Sequence, residues 1–140
     1  MTLLPIVLAL AAAMHHGPVP PEIARAVAGG CELEAARHPV DARACAALAL
    51  VYAWHESGWD ERPRPVSWDS RAGQSCGLLQ LPCRWGDRSA RWQVQAWLAL
   101  LRRGTLAGLS GGGSAGERIA RARVREADLL VEAVRERLEP

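Results

Sequence analysis

Apolar positions along this chain gather into blocks, and the spacing inside each block predicts helices almost throughout. Residues 42–55 are apolar nearly all round, as expected of a helix buried on most sides. Asp41 stands before this run as a natural N-cap, and Gly58 follows it as a breaker. Over 89–103 the apolar set Trp92, Val94, Ala96, Trp97, Ala99 and Leu100 predicts an amphipathic helix. Over 117–138 Ile119, Val124, Ala127, Leu130, Val131, Val134 and Leu138 repeat at helical period. A shorter helix is expected over 21–28, with Pro21 at its start and Gly29-Gly30 ending it. Residues 58–74 and 104–116 read as loops, and 75–82 as a helical turn or short strand. No segment shows the alternation of a long strand, so the expected class is mainly α in one small domain.

The first block has a second meaning. Leu3 to Met14 is an unbroken apolar run followed by His15-His16-Gly17-Pro18. Its length suits the core of an export signal and is too short to span a bilayer. Residues 1–18 are therefore expected to be a signal peptide cleaved within 13–20, leaving a domain over 19–140. No Lys or Arg precedes the run, and the alternative is a first helix packed on the domain.

Four cysteines change the picture next: Cys31, Cys45, Cys76 and Cys83. In an exported chain they most simply form two disulfides. Three pairings are possible. Cys31–Cys45 with Cys76–Cys83 is favoured because each pair brackets a short segment. A zinc site is the competing reading, with spacings that fit it poorly. The periplasm or the exterior is the compartment implied.

Charge adds less. The net charge is +2, too small to point to nucleic acid, and all 17 basic residues are arginine, as a GC-rich genome would favour. The stretch Arg118, Arg121, Arg123, Arg125 reads as the solvated face of a helix, with attraction to anionic wall polymer as the lesser reading. Gly111-Gly112-Gly113 has no lysine to complete a phosphate loop. There is no Phe but six Trp, five of them between residues 54 and 92. Exposed Trp faces stack on sugar rings, so the clustering weakly favours a carbohydrate ligand.

The candidate chemistry begins at Glu56, which ends the apolar helix. Apolar neighbours disfavour a charged carboxylate, and so does the negative end of the helix dipole. The sequence thus predicts an acid that keeps a proton to donate to a glycosidic oxygen. The bland reading is a solvated acid at a frayed helix end. His55 beside it reads as a packed or hydrogen-bonded residue.

Downstream stands Ser75-Cys76-Gly77-Leu78-Leu79-Gln80-Leu81-Pro82. With His55-Glu56-Ser57-Gly58-Trp59 ahead of it, the chain resembles the soluble lytic transglycosylase and goose-type lysozyme group, best over residues 42–103. The resemblance implies a lysozyme-like fold and Glu56 as the single catalytic acid. It implies cleavage of the β-1,4 bond between N-acetylmuramic acid and N-acetylglucosamine, leaving a 1,6-anhydro end. Ser57, Ser75, Gly77, Leu78 and Gln80 would line the substrate cleft, with Gly77 letting a sugar approach the backbone. Asp69 lies where goose-type lysozymes place a second carboxylate; Asp60 and Glu61 are also near, and all three read equally as ordinary loop acids. The expected partner is the peptidoglycan strand. No nucleic acid, cofactor or metal is expected, and the chain should act as a monomer.

One departure matters. Members of the group carry a Tyr-Asn-Ala-Gly-like segment before the last helix, where this chain has Leu109-Ser110-Gly111-Gly112-Gly113. Its only tyrosine is Tyr52, which, like Trp97, is a candidate to replace the missing one. The alternatives to a transglycosylase are a hydrolytic lysozyme, a non-catalytic module that binds glycan strands, and an assembly protein of an envelope or phage apparatus.

Overall fold

A computed structural model describes residues 2–60, 65–69, 73–85 and 88–138. Its helices are α1 (Leu4–Ala13), α2 (Pro21–Arg37), α3 (Ala42–Ser57), α4 (Ala90–Arg103), α5 (Leu106–Leu109) and α6 (Gly113–Leu138). Between α3 and α4 lie three short strands, β1 (Pro65–Asp69), β2 (Gly73–Cys76) and β3 (Leu81–Pro82), and a 3-10 turn (Cys83–Trp85). The protein is mainly α.

Helix α3 is the centre of the molecule. Asp41 Oδ1 accepts from the backbone N–H of Arg43 at 2.8 Å and of Ala44 at 3.3 Å, which fixes where the helix starts. Ala46, Ala47, Ala49, Leu50, Val51, Tyr52 and Ala53 are all buried. Such a surface needs neighbours on most sides, and α3 has α1, α2 and α6 around it. At the far end Gly58 is left-handed (φ 65, ψ 33) and its N–H returns to Trp54 O at 2.7 Å, closing the helix.

Helix α2 runs nine residues past the expected stop at Ala28. Gly29 and Gly30 do not end it. Gly30 lies where α4 crosses, and a Cβ there would stand 2.8 Å from Val94 Cγ1. The glycine serves close helix contact, and the packing outweighs its poor helix propensity. Residues 104–116 also hold more structure than expected. Thr105 caps the short α5 through Gly108 N–H, and α6 starts at Gly113, before the expected 117.

The apolar run at the N-terminus forms α1. Leu3, Val7, Leu10, Ala11 and Met14 are buried, in contact with α2, α3 and α6. Leu3 N–H donates to the Glu32 carboxylate. No helix among the described residues is long and apolar enough to cross a membrane.

Both favoured disulfides are present. Cys31–Cys45 ties α2 to α3 with a Cα separation of 5.7 Å. Cys76–Cys83 ties β2 to the 3-10 turn at 5.0 Å. All four sulfurs are engaged in these bonds, which removes the zinc reading. The sheet is antiparallel in the order β1-β2-β3. Ser67 pairs with Ser75, Asp69 with Gly73 and Cys76 with Leu81, and the register shifts between Pro65 and Ser67.

Candidate active site

The two motifs, far apart in the chain, meet through one hydroxyl. Ser57 Oγ lies 2.9 Å from Ala53 O in its own helix and 2.8 Å from Leu78 O in the Gly77–Gln80 turn, so its single proton is shared between two carbonyls. The same oxygen accepts from Asp60 N–H at 3.1 Å. The end of α3 is thereby locked to the turn between β2 and β3.

That turn has its own internal supports. Gly77 has φ +80, and a Cβ on it would run into the Gln93 side-chain amide. The space beside Gly77 therefore belongs to Gln93 of α4, which explains this glycine without a sugar. Gln93 is buried; its Oε1 accepts from Leu78 N–H at 2.7 Å and its Nε2 donates to Arg88 O at 2.9 Å. The Leu78 side chain is wholly in the core. Gln80 stands at φ 52 and folds back, its Nε2 donating to Gly77 O at 2.9 Å. Ser75 is half-buried in β2. The Asp69 backbone ends β1, while its side chain, with Glu61 and Trp68, lies outside the described residues.

Glu56 is one residue before the end of α3 and half-buried. Apolar neighbours are not what its carboxyl meets. Arg123 of α6 donates from Nη1 to Glu56 Oε1 at 2.7 Å, with side-chain exposures of 14% and 23%. The arginine was expected in a solvated stripe, and Arg118, Arg121 and Arg125 are indeed exposed. Arg123 departs from them because it falls in register with Ala120, Ala127, Leu130 and Val134, the buried face of α6. An arginine in that stripe is the signal in the sequence that could have found it.

Tyr52, one turn before Glu56, supports the pair from below. It is fully buried, and the Arg123 guanidinium carbon lies 4.5 Å from its ring centroid. Its hydroxyl is 2.8 Å from Ser110 Oγ, which in turn donates to Leu106 O at 2.7 Å. The tyrosine of α3 thus reaches the end of α5, before the last helix. The ring also packs on Trp97 at 5.2 Å. Beside this set His55 Nε2 is 2.8 Å from Glu126 Oε2, so consecutive residues of α3 pair with two residues one turn apart on α6.

Trp59 and Trp97 are core, whereas Trp54, Trp85 and Trp92 are half-buried. Trp59 holds a left-handed backbone (φ 62), an unusual state for a bulky residue, and anchors it by donating from Nε1 to Leu50 O at 3.0 Å. Positive φ at Trp59 and Gln80 puts one strained residue in each motif, as functional sites often do. Trp85 and Trp92 meet edge to face at 5.9 Å, and with Arg88 and Arg103 they line an open groove of about 480 Å³.

Comparison with protein-family models, with curated proteins and with solved structures finds no match to this chain. No relative's chemistry therefore bears on the site.

Proposed function

We propose that the protein is a peptidoglycan lytic transglycosylase with a lysozyme-like fold, exported to the cell envelope, in which Glu56 is the acid and base. The observation that carries this reading is the Ser57 lock. It brings the Glu-Ser end of a buried helix against the Gly-Leu-Leu-Gln turn, the two elements of the resemblance, and leaves the Glu56 carboxyl at the surface beside a fixed cation. Two disulfides fit an oxidising compartment. Half-buried Trp85 and Trp92 line an open groove wide enough for a glycan, with Arg88 lying over the Trp92 ring.

In the reaction Glu56, having left Arg123 and taken a proton from solvent, gives that proton to the glycosidic oxygen as the bond from muramyl C1 to that oxygen breaks. The oxygen of the muramyl C6 hydroxyl then bonds to C1, and its proton passes to the Glu56 carboxylate. A 1,6-anhydro end is formed, a new 4-hydroxyl is released, and the acid returns to its starting state. No water enters, so a second carboxylate such as Asp69 is not needed.

A second reading has its own support. The Glu56–Arg123 ion pair and the His55–Glu126 hydrogen bond lie side by side between α3 and α6, the arrangement expected of a purely structural tie in a glycan-binding module. Digestion of purified sacculi separates the two. Release of anhydromuramyl products by the wild type but not by Glu56→Gln supports the enzyme. Binding to sacculi with no product from either protein supports the module. Products with reducing ends would replace transglycosylation with hydrolysis.

A further inference from the structure

Arg123 is over-equipped for a tie. A guanidinium carries five N–H donors, and one hydrogen bond from it, to Glu56, accompanies its stacking on Tyr52. No buried side-chain nitrogen or oxygen among the described residues lacks a partner, so Nε and Nη2 of Arg123 are not sealed from solvent, although only 14% of the side chain is exposed. They lie beside the proposed acid, on a platform packed into the core. Tyr52 is fully buried, hydrogen-bonded through Ser110 and packed on Trp97. Arg118, Arg121 and Arg125 are exposed on the opposite face of α6 and do not flank Arg123. The acids nearest in sequence are Glu126, paired with His55, and the exposed Glu117 and Asp128.

We propose that Arg123 reads the charge of the glycan strand: a carboxylate of a muramyl-peptide unit takes Arg123 over from Glu56, and Glu56 is released to face the scissile bond. This rests on the transglycosylase reading and adds a selection rule to it. An arginine meets a carboxylate as charge against charge and through two parallel N–H···O bonds, whereas a neutral carbonyl offers it a single bond to a dipole. The carbonyl of an N-acetyl group therefore does not displace Glu56, whereas a second carboxylate exchanges with it at little cost. A neutral β-1,4-linked N-acetylglucosamine polymer would leave the acid held by its arginine. A murein strand, which carries carboxylates, frees it. By linkage, the strand carboxylate and the Glu56 carboxylate each weaken the other's hold on Arg123.

The test uses a disaccharide-peptide, N-acetylglucosaminyl-N-acetylmuramyl peptide, which contains no bond of the cleaved type and can be prepared with its carboxylates free or amidated. Binding of both forms to the whole chain is measured by calorimetry for the wild type, Glu56→Gln, Arg123→Gln and Arg123→Lys. Glu56→Gln removes the competitor, so the acid form should bind about tenfold tighter while the amidated form is unchanged. Arg123→Gln should weaken the acid form about tenfold and leave the amidated form alone, with Arg123→Lys between. If Glu56→Gln fails to tighten the acid form, or if both forms shift equally, the inference falls and the transglycosylase reading stands. If neither form binds the wild type and sacculi yield no product, the reading beneath it falls as well. Should Arg123→Gln not fold, the Glu56→Gln comparison alone decides.

Discussion

The two ends of α3 are held by different means. At its start the helix is fixed by a covalent bond, the Cys31–Cys45 disulfide to α2, with the exposed side-chain cap of Asp41 beside it. Beside it lies a mostly apolar cavity of about 360 Å³, bordered by Val40, Leu48, Trp97 and Leu101, with the Glu34–Arg102 pair at its edge. At its finish the helix is fixed by side-chain contacts, namely Ser57 to Leu78 O, Glu56 to Arg123 and His55 to Glu126. The disulfide is permanent on the time scale of catalysis. The contacts at the finish are hydrogen bonds and ion pairs near the surface, each worth little net because solvent offers a substitute. A helix anchored hard at one end can have exchangeable partners at the other without losing its place.

That contrast can be broken or sharpened in order of effect. Glu56→Gln should lower anhydromuramyl product formation by roughly 10²–10⁴-fold, the usual share of a general acid, with little change in the thermal midpoint. Product release from sacculi set against a melting curve checks both halves. If turnover is unaffected, the far end of α3 carries no catalysis. Replacing Cys31 and Cys45 together by alanine should cost about 3 kcal/mol, the loop-closure value for a bridge of this span, and leave turnover intact wherever the protein is still folded. Denaturant unfolding gives the first number, and a loss of turnover in a folded sample would show the two ends to be coupled. Ser57→Ala should cost about 1–2 kcal/mol, since Leu78 O loses its donor and Asp60 N–H its acceptor. It should also lower turnover by loosening the turn, and a stability loss with full activity would detach the lock from the site. Asp41→Ala should cost about 1 kcal/mol as a lost N-cap, with no effect on product release. A drop in activity there would erase the distinction between the ends.

Much of this frame was legible in the chain before any coordinates. Asp41, Gly58 and the apolar run between them marked α3 to within a residue or two, because cap chemistry and burial act locally. Ser89 and Gly104 likewise bounded α4, where the Ser89 hydroxyl accepts from Trp92 N–H at 3.2 Å. The misses share a cause of another kind. Gly29-Gly30 looked like a stop because propensity is local, yet α4 lies against Gly30 and keeps the helix going. Gly77 looked like an opening for a sugar, yet Gln93, sixteen residues on, fills the space. Arg123 was read with its exposed arginine neighbours along the sequence, while its meaning came from α3, 67 residues earlier. Candidate chemistry at Glu56 and Ser57 could be located from the motif. Which side chains surround it depended on helix crossings that no single segment encodes.

The packing of α1 against α6 has a consequence in time. The first and last helices of the chain share a core face, with Leu10 on one and Val134 on the other among the buried residues. A chain made from its N-terminus onward therefore holds α1 without this partner until the final helix has been synthesised. Closure of the core is a late event, and it joins segments separated by almost the whole sequence, a costly loop for a small protein to shut.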